Sequence, residues 1–177
     1  IPVYVYKTPT TVEEAKATIH EIAGLLHASD ESMIASMDAD LKTVEELANK
    51  YSGERPLVAF YSQFGLTGGK GSTFDDMCKY LKVNNAAAQV GLGPFDNGMR
   101  EDLIKSNPDI IFIPSVAYTS DGATPASVEQ LYSDPALQGV KAISNRRVFL
   151  VDSSQVMSYS QFMTRAMVSM AQNIYSM

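Results

Sequence analysis

Tryptophan is absent from this 177-residue chain, cysteine occurs once and histidine twice. A single cysteine, Cys78, excludes an internal disulfide and a thiolate metal cluster. It lies within the helical pattern Phe74 to Leu81, where a free thiol packs as a small hydrophobe. His20 and His27 fall on one helical pattern about 10 Å apart, too far to share a metal ion without further ligands. Basic residues are the minority, 14 Lys and Arg against 20 Asp and Glu, giving a formal net charge of −6 and a pI of about 4.8. That balance argues against nonspecific binding to nucleic acid or anionic lipid, where a basic surface supplies most of the affinity. No apolar run reaches the roughly 18 residues of a membrane-spanning helix. No signal peptide is present either. The chain begins at Ile1 inside a strand-like run, as a piece of a longer protein would, so the missing signal carries no weight.

Catalytic sets are also missing. Glu13-Glu14, Glu45-Glu46 and Asp75-Asp76 are adjacent pairs on helical patterns, and neighbouring helix residues point in different directions. A Ser/His/Asp triad would have to recruit one of two N-terminal histidines, with no nucleophile-elbow motif. Gly68-Gly69-Lys70-Gly71-Ser72-Thr73 resembles a phosphate-binding loop but fails it twice. Gly71 follows Lys70 where Ser or Thr is required, and Phe64 stands where the first glycine belongs. A turn ahead of a capped helix accounts for it. Neither a metal nor a resident cofactor is expected, and the chain is read as a non-enzyme.

What is present is ordinary globular composition, 45% hydrophobic and 19% charged, in a length sufficient for one domain with a real core. Ile1 to Tyr6 reads as a short strand. Thr10 or Thr11 then caps a helix with Glu13 and Glu14 in its first turn and a stripe of Ala15, Ile19, Ile22, Ala23 and Leu26. Ser29 or Asp30 starts a second helix running to about Ser52, roughly 33 Å long. Such a helix can span between two lobes or simply cover a sheet; periodicity does not choose. After the turn Gly53 to Pro56 the pattern alternates. Leu57 to Tyr61 reads as a strand, Ser62 to Ser72 as a Gly-rich loop and Thr73 to Lys82 as a helix. Ala88 to Val90 reads as a short strand. Met99 to Ser106 is a helix that Asn107-Pro108 ends, because Pro disfavours helical backbone before it. Ile110 to Pro114 is continuously apolar, as a strand covered on both faces should be. Short helices from Pro125 and Asp134, a strand Arg147 to Val151, a loop Asp152 to Ser158 and a closing helix Tyr159 to Ser176 complete the pattern. The expected class is α/β, a three-layer α/β/α lobe with a mainly parallel, Rossmann-like sheet. Met163, Met167 and Met170, at helical spacing, are core filler.

Aromatic residues recur in the loops after the strands: Tyr61 and Phe64, then Phe95, then Tyr118, then Tyr159 beside Met157. Ligands of open α/β sheets bind outside the carboxyl ends of the strands. Aromatic side chains there can grip a large, flat or chelate-like ligand. Any one of them could instead be core; their convergence on one edge favours a binding face.

Three ordered segments carry a resemblance. They are Gly69-Lys70-Gly71-Ser72 with Asp76, Leu81 and Asn84-Asn85-Ala86; Arg100-Glu101-Asp102-Leu103 with Asn107-Pro108-Asp109-Ile110-Ile111; and Asp134-Pro135 with Val140-Lys141-Ala142-Ile143, Asn145-Arg146-Arg147-Val148 and Val151-Asp152. Over about residues 55 to 175 the chain resembles the C-terminal half of substrate-binding proteins that feed ABC importers of iron-siderophore, heme and cobalamin type. The resemblance implies that residues 1–28 end an N-terminal lobe, 29–54 form a rigid inter-lobe helix, and 55–177 form the C-terminal ligand-binding lobe. It implies an extracytoplasmic setting, periplasmic or as a surface lipoprotein, and weak or no ligand binding by this piece alone. It assigns Phe95 to the ligand cleft, with Tyr61, Phe64, Tyr118 and Tyr159 facing the same cleft by topology. A heme iron would draw its ligand from Tyr61, Tyr118 or Tyr159, and an anionic siderophore would look to Lys70. Glu101 matches the carboxylate that docks on arginines of the permease, although stabilising its own helix N-terminus would also explain it. A metal chelatase or a nitrogenase-like subunit on a related lobe is the alternative.

Overall fold

A computed structural model of the chain describes residues 3–115 and 128–175. Residues 3–10 form no strand; Val3 to Tyr6 are exposed, and no described strand pairs with them. Helix α1 (Val12–Leu25) is capped by Thr11, whose hydroxyl accepts the Glu14 amide at 3.1 Å. Its first amide, Val12 N, donates instead to the buried Asp76 carboxylate at 2.9 Å. That bond satisfies an otherwise orphaned helix donor and fastens α1 to the rest of the lobe. Only Val12, Ala15 and Ala23 of α1 are buried, so Ile22 and Leu26 of the predicted stripe are less covered than their spacing implies. Helix α2 (Glu31–Lys50) follows Asp30, whose carboxylate meets His20 Nδ1 at 3.0 Å.

Strand β1 (Leu57–Ser62) turns back at Gln63 and Phe64 into a short antiparallel strand, β2 (Gly65–Thr67). The expected Gly-rich loop therefore begins as a hairpin. Gly65, at φ +96°, supplies the left-handed residue that lets the common turn rejoin a twisted strand. Helix α3 (Thr73–Tyr80) leads to β3 (Asn84–Asn85) and α4 (Ala86–Gln89). The short strand thus lies before Ala86, and Ala88 is helical: alanine favours helix, and Asn85 caps it by accepting the amides of Ala87 and Ala88.

Helix α5 (Arg100–Ser106) stops at Asn107, which adopts left-handed φ +50° and ψ +59°, a conformation asparagine tolerates at helix ends. Strand β4 (Ile110–Pro114) is buried throughout. Helix α6 (Val128–Ser133), a 3-10 turn at Pro135–Leu137 and α7 (Lys141–Ser144) then lead to the edge strand β5 (Val148–Val151). A single helical turn, α8 (Ser153–Val156), occupies the expected loop because Asp152 caps it, and α9 (Phe162–Tyr175) closes the chain.

The sheet runs β2-β1-β4-β5, with β1, β4 and β5 parallel; β3 pairs in parallel with the first residues of β1, on the edge whose later residues take β2. Alternate side chains divide between two cores. Val58, Phe60, Ile110 and Phe112 face α2, α3 and α9, while Ala59, Ile111 and Ile113 face α4, α5 and α7. The three-layer α/β/α reading holds. Helix α2 lays Met37 and Val44 on the layer containing Met163, Met167 and Met170 of α9, and Asp40 accepts the buried Thr164 hydroxyl at 2.7 Å. Cys78 is buried in this layer, and burial pushes its thiol up, so it stays protonated.

Asn107-Pro108-Asp109 does more than end a helix. Asp109 Oδ2 accepts Leu57 N at 2.8 Å, and Asp109 N donates to Leu57 O at 2.8 Å, so the starts of β1 and β4 are locked in register. Asn107 Oδ1 accepts Lys141 N at 2.9 Å, and Lys141 Nζ reaches Asp109 at 3.2 Å. The segment ties two strands and α7 together. Among the described residues no helix is long and apolar enough to cross a membrane.

Candidate functional site

A cavity of about 760 Å³ opens at the carboxyl edge of the sheet, over β1. Its volume is in the range of small-molecule sites. Phe60 and Phe74, stacked with centroids 5.5 Å apart, stand in its wall. Pro94 and Phe95 line it from one loop, and Met157 and Tyr159 from another. Lys7, Thr8 and Thr10 line it from the N-terminal segment. Thr67, Ser72 and Thr73 add hydroxyls. The arrangement is an apolar lining with a few polar groups, suited to holding a flat ligand by area burial.

The loops that build this wall are braced from below. Asn85 Nδ2 donates to Gly68 O at 2.8 Å and to Asp75 Oδ1 at 3.0 Å, and Asp75 Oδ2 accepts Gly71 N at 2.9 Å. Ser72 caps α3 by accepting the Asp75 amide at 3.1 Å. Gly69 has no room for a side chain: a Cβ there would lie 2.2 Å from Leu92 O. The neighbouring Lys70 N donates to that same carbonyl at 2.8 Å. The Phe95 loop is closed by Asp96, whose carboxylate accepts Gly93 N at 2.7 Å, and by the Leu66–Gly98 bridge at 2.7 and 3.0 Å. Phe95 is 87% exposed at its tip. A large aromatic held in water on a braced loop has its contact surface already prepared for a partner.

The sequence-predicted residues separate. Phe95 and Tyr159, the latter 53% exposed, line the cavity together. Tyr61 is not among the lining residues; it packs on the opposite layer, and Phe60 takes the cavity-facing position. Burial raises the Tyr61 phenol, an effect the nearby Arg100 opposes. Phe64 is 63% exposed in the β1–β2 turn and is not a lining residue either. Tyr118 lies outside the described residues. Lys70 is exposed and absent from the wall, whereas Lys7, which sequence reasoning passed over, stands in it. The only local signal for Lys7 was its place directly after the apolar run at the chain start.

Glu14 organises the N-terminal wall. Its carboxylate accepts Thr10 N at 2.8 Å, Thr10 Oγ1 at 3.0 Å and Lys7 Nζ at 3.1 Å. The Thr10 amide, then Lys7, holds its carboxyl well below the usual range, at about 2. A depressed carboxyl stabilises the fold above its ordinary value of 4.5 and loses that contribution as pH falls toward 2. Glu14→Gln is therefore expected to lower stability at neutral pH and to flatten the acid limb of the melting profile between about pH 5 and 2. Circular-dichroism melts at stepped pH check this; parallel acid limbs for the two proteins would refute it.

Glu101 is exposed in the first turn of α5, and its carboxylate makes no ion pair among the described residues. Its neighbour Arg100 is engaged, donating to Asp134 Oδ2 at 2.7 Å. The Ala136 amide, then Arg100, holds the Asp134 carboxyl below its ordinary range. Asp102, not Glu101, serves the helix start by accepting Met99 N at 2.9 Å. Among the described residues no group of three His, Cys, Asp or Glu side chains comes together as a metal site.

The family described as periplasmic binding protein matches residues 1–155. Among solved structures, the periplasmic heme-binding protein RhuT from Roseiflexus sp. RS-1, in apo form, is similar over 96% of this chain and 65% of its own, at 21% identity and TM-score 0.77. CeuE of Helicobacter pylori with bound Ni(II) is similar over 96% of this chain and 53% of its own, at 17% identity and TM-score 0.77. An ABC-type Fe3+-hydroxamate transport system protein from Saccharomonospora viridis DSM 43017 is similar over 93% and 56%, at 17% identity and TM-score 0.74. At these identities the likeness is one of fold, and the chain spans less than two thirds of each structure's length. No curated protein matches.

Proposed function

The chain belongs to the periplasmic binding protein family, and from that premise we propose that it is the substrate-binding component of an ABC importer. It captures an iron chelate, a heme or a cobalamin-like compound and delivers it to the permease. Membership implies an extracytoplasmic setting; attachment as a lipoprotein is part of the proposal. The observation that carries the reading is the aromatic-walled cavity at the carboxyl edge of the sheet, most of whose lining, from Lys7 to Phe95, falls within the matched residues. The heme-binding and Fe3+-hydroxamate names of two structures with this fold support the ligand class. Phe95 and Tyr159 make the ligand contacts over Phe60 and Phe74, and a heme iron would find a phenol in Tyr159. In this reading residues 55–177 form the ligand-binding lobe, with 29–54 as the backbone helix beside it. No observation favours the chelatase or nitrogenase-like alternative, and the matching family is one of binding proteins.

Absorbance titration of the full-length protein with heme, cobalamin and ferric siderophores tests the reading. Saturable binding of one of them is expected, and binding of none would overturn it.

Glu101 is proposed as the permease-docking carboxylate. It is exposed and free of an ion pair among the described residues, while Asp102 supplies the helix cap. An exposed carboxylate of this kind steers and orients association with arginines. Glu101→Ala is expected to leave ligand affinity within about twofold, since loss of a surface charge away from the cavity changes little, while uptake by cells carrying the change falls markedly. Unchanged uptake would remove the docking role.

A further inference from the structure

Lys7 is the one charged side chain among the described residues that line the cavity, in a chain whose net charge is −6. Its ammonium is paired with Glu14 at 3.1 Å, yet Glu14 does not depend on it alone. The same carboxylate keeps the Thr10 amide at 2.8 Å and the Thr10 hydroxyl at 3.0 Å. Exposed ion pairs of this kind contribute little, so the ammonium can change partners at small cost. Around it the cavity has two unlike regions. Phe60 and Phe74 form an apolar stacked surface, while Lys7, Thr8 and Thr10 form a polar rim on the N-terminal segment.

We propose that this cavity selects ligands that combine a flat apolar body with an acidic group, the acid being held by Lys7 in exchange for Glu14. This rests on the reading of the cavity as the ligand site and narrows its ligand class. A carboxylate or other anion reaching Lys7 gains a charge-assisted hydrogen bond beside an apolar surface that excludes water from one side. A neutral chelate of the same shape gains only the stacking. An anion placed elsewhere in the cavity meets no compensating charge and carries the cost of desolvation. The cation therefore acts as a selector for orientation as well as for class: the acidic edge lies toward the N-terminal segment and the apolar body over β1.

The test uses two probes of one shape. Gallium(III) protoporphyrin IX carries two propionates, and its dimethyl ester carries none. Both are titrated into the full-length protein and into its Lys7→Met and Lys7→Arg variants, with tyrosine fluorescence and lysine side-chain NMR shifts as readouts, so that weak binding is measurable. Because Lys7 is exposed, neither variant should disturb the fold. The acid is expected to bind the unaltered chain about tenfold or more tightly than the ester. The preference should vanish in Lys7→Met, persist in Lys7→Arg and shrink with added salt. Equal binding of both probes, or an acid preference that survives Lys7→Met, would overturn this inference while leaving the ligand-site reading intact. Absence of saturable binding by both probes would instead overturn that reading for porphyrin ligands, and this inference with it.

Discussion

Phe112→Ala is expected to destabilise the protein by about 3–5 kcal/mol, the usual cost of truncating a fully buried aromatic side chain. Phe112 has no exposed surface, sits at the centre of β4 and meets the Phe149 ring at 6.0 Å between centroids. It is also a member of the core that joins the sheet to α2, α3 and α9. The cost combines lost burial with a cavity that braced strands on either side cannot collapse to fill. For a chain of this length, each kcal/mol lowers the midpoint by about 2–4 °C, so a fall of about 6–20 °C is expected. Thermal melts followed by circular dichroism measure it. A shift below about 3 °C would mean that the ring is not packed as described.

Phe95→Ala is expected to do the reverse, leaving stability within about 0.5 kcal/mol because the side chain is largely in water. Its effect falls on binding. A ligand that covers the ring removes apolar area worth about 2 kcal/mol, and losing it weakens affinity about thirtyfold. Phe95→Tyr, which keeps the flat surface, should retain most of the affinity. The measurement is a titration of each variant with whichever of heme, cobalamin or ferric siderophore the unaltered chain binds. Equal affinity in Phe95→Ala would remove Phe95 from the ligand surface. The pair of substitutions also separates two kinds of phenylalanine that composition cannot tell apart.

Much of the fold was legible because its causes are local. Thr11 and Ser72 each cap a helix through a neighbour's amide, whereas the single turns capped in the same way by Asn85 and Asp152 are too short to show a helical period and read as strand and loop. The run Ile110 to Pro114 shows its double-sided burial in composition alone. Other elements escaped because they are stabilised from far away. Strand β2 is three paired residues beyond a turn plus a bridge to Gly98, and nothing within Gly65–Thr67 announces that partner. Residues 3–6 carry a strand alternation, but no described strand lies beside them to complete a ladder. The site was legible in part. Aromatics clustered after the strands, yet alternation along β1 does not say which of its two faces borders the cavity.

Sequence by itself determined the class of this protein: a chain with one cysteine and two histidines, folding as a mainly parallel α/β lobe with an aromatic-rich carboxyl edge. Those properties follow from composition, period and caps, which act within a few residues. Tertiary structure alone decided that Phe60 rather than Tyr61 borders the cavity, that Lys7 rather than Lys70 brings charge to it, and that Asp76 holds Val12 across 64 residues of chain. It likewise turned Asn107-Pro108-Asp109 from a helix stop into a clamp on Leu57 and Lys141. The physical reason is the same in each case. These contacts join segments whose separation along the chain leaves no local trace, and only packing the two faces of the sheet selects which side chain meets which.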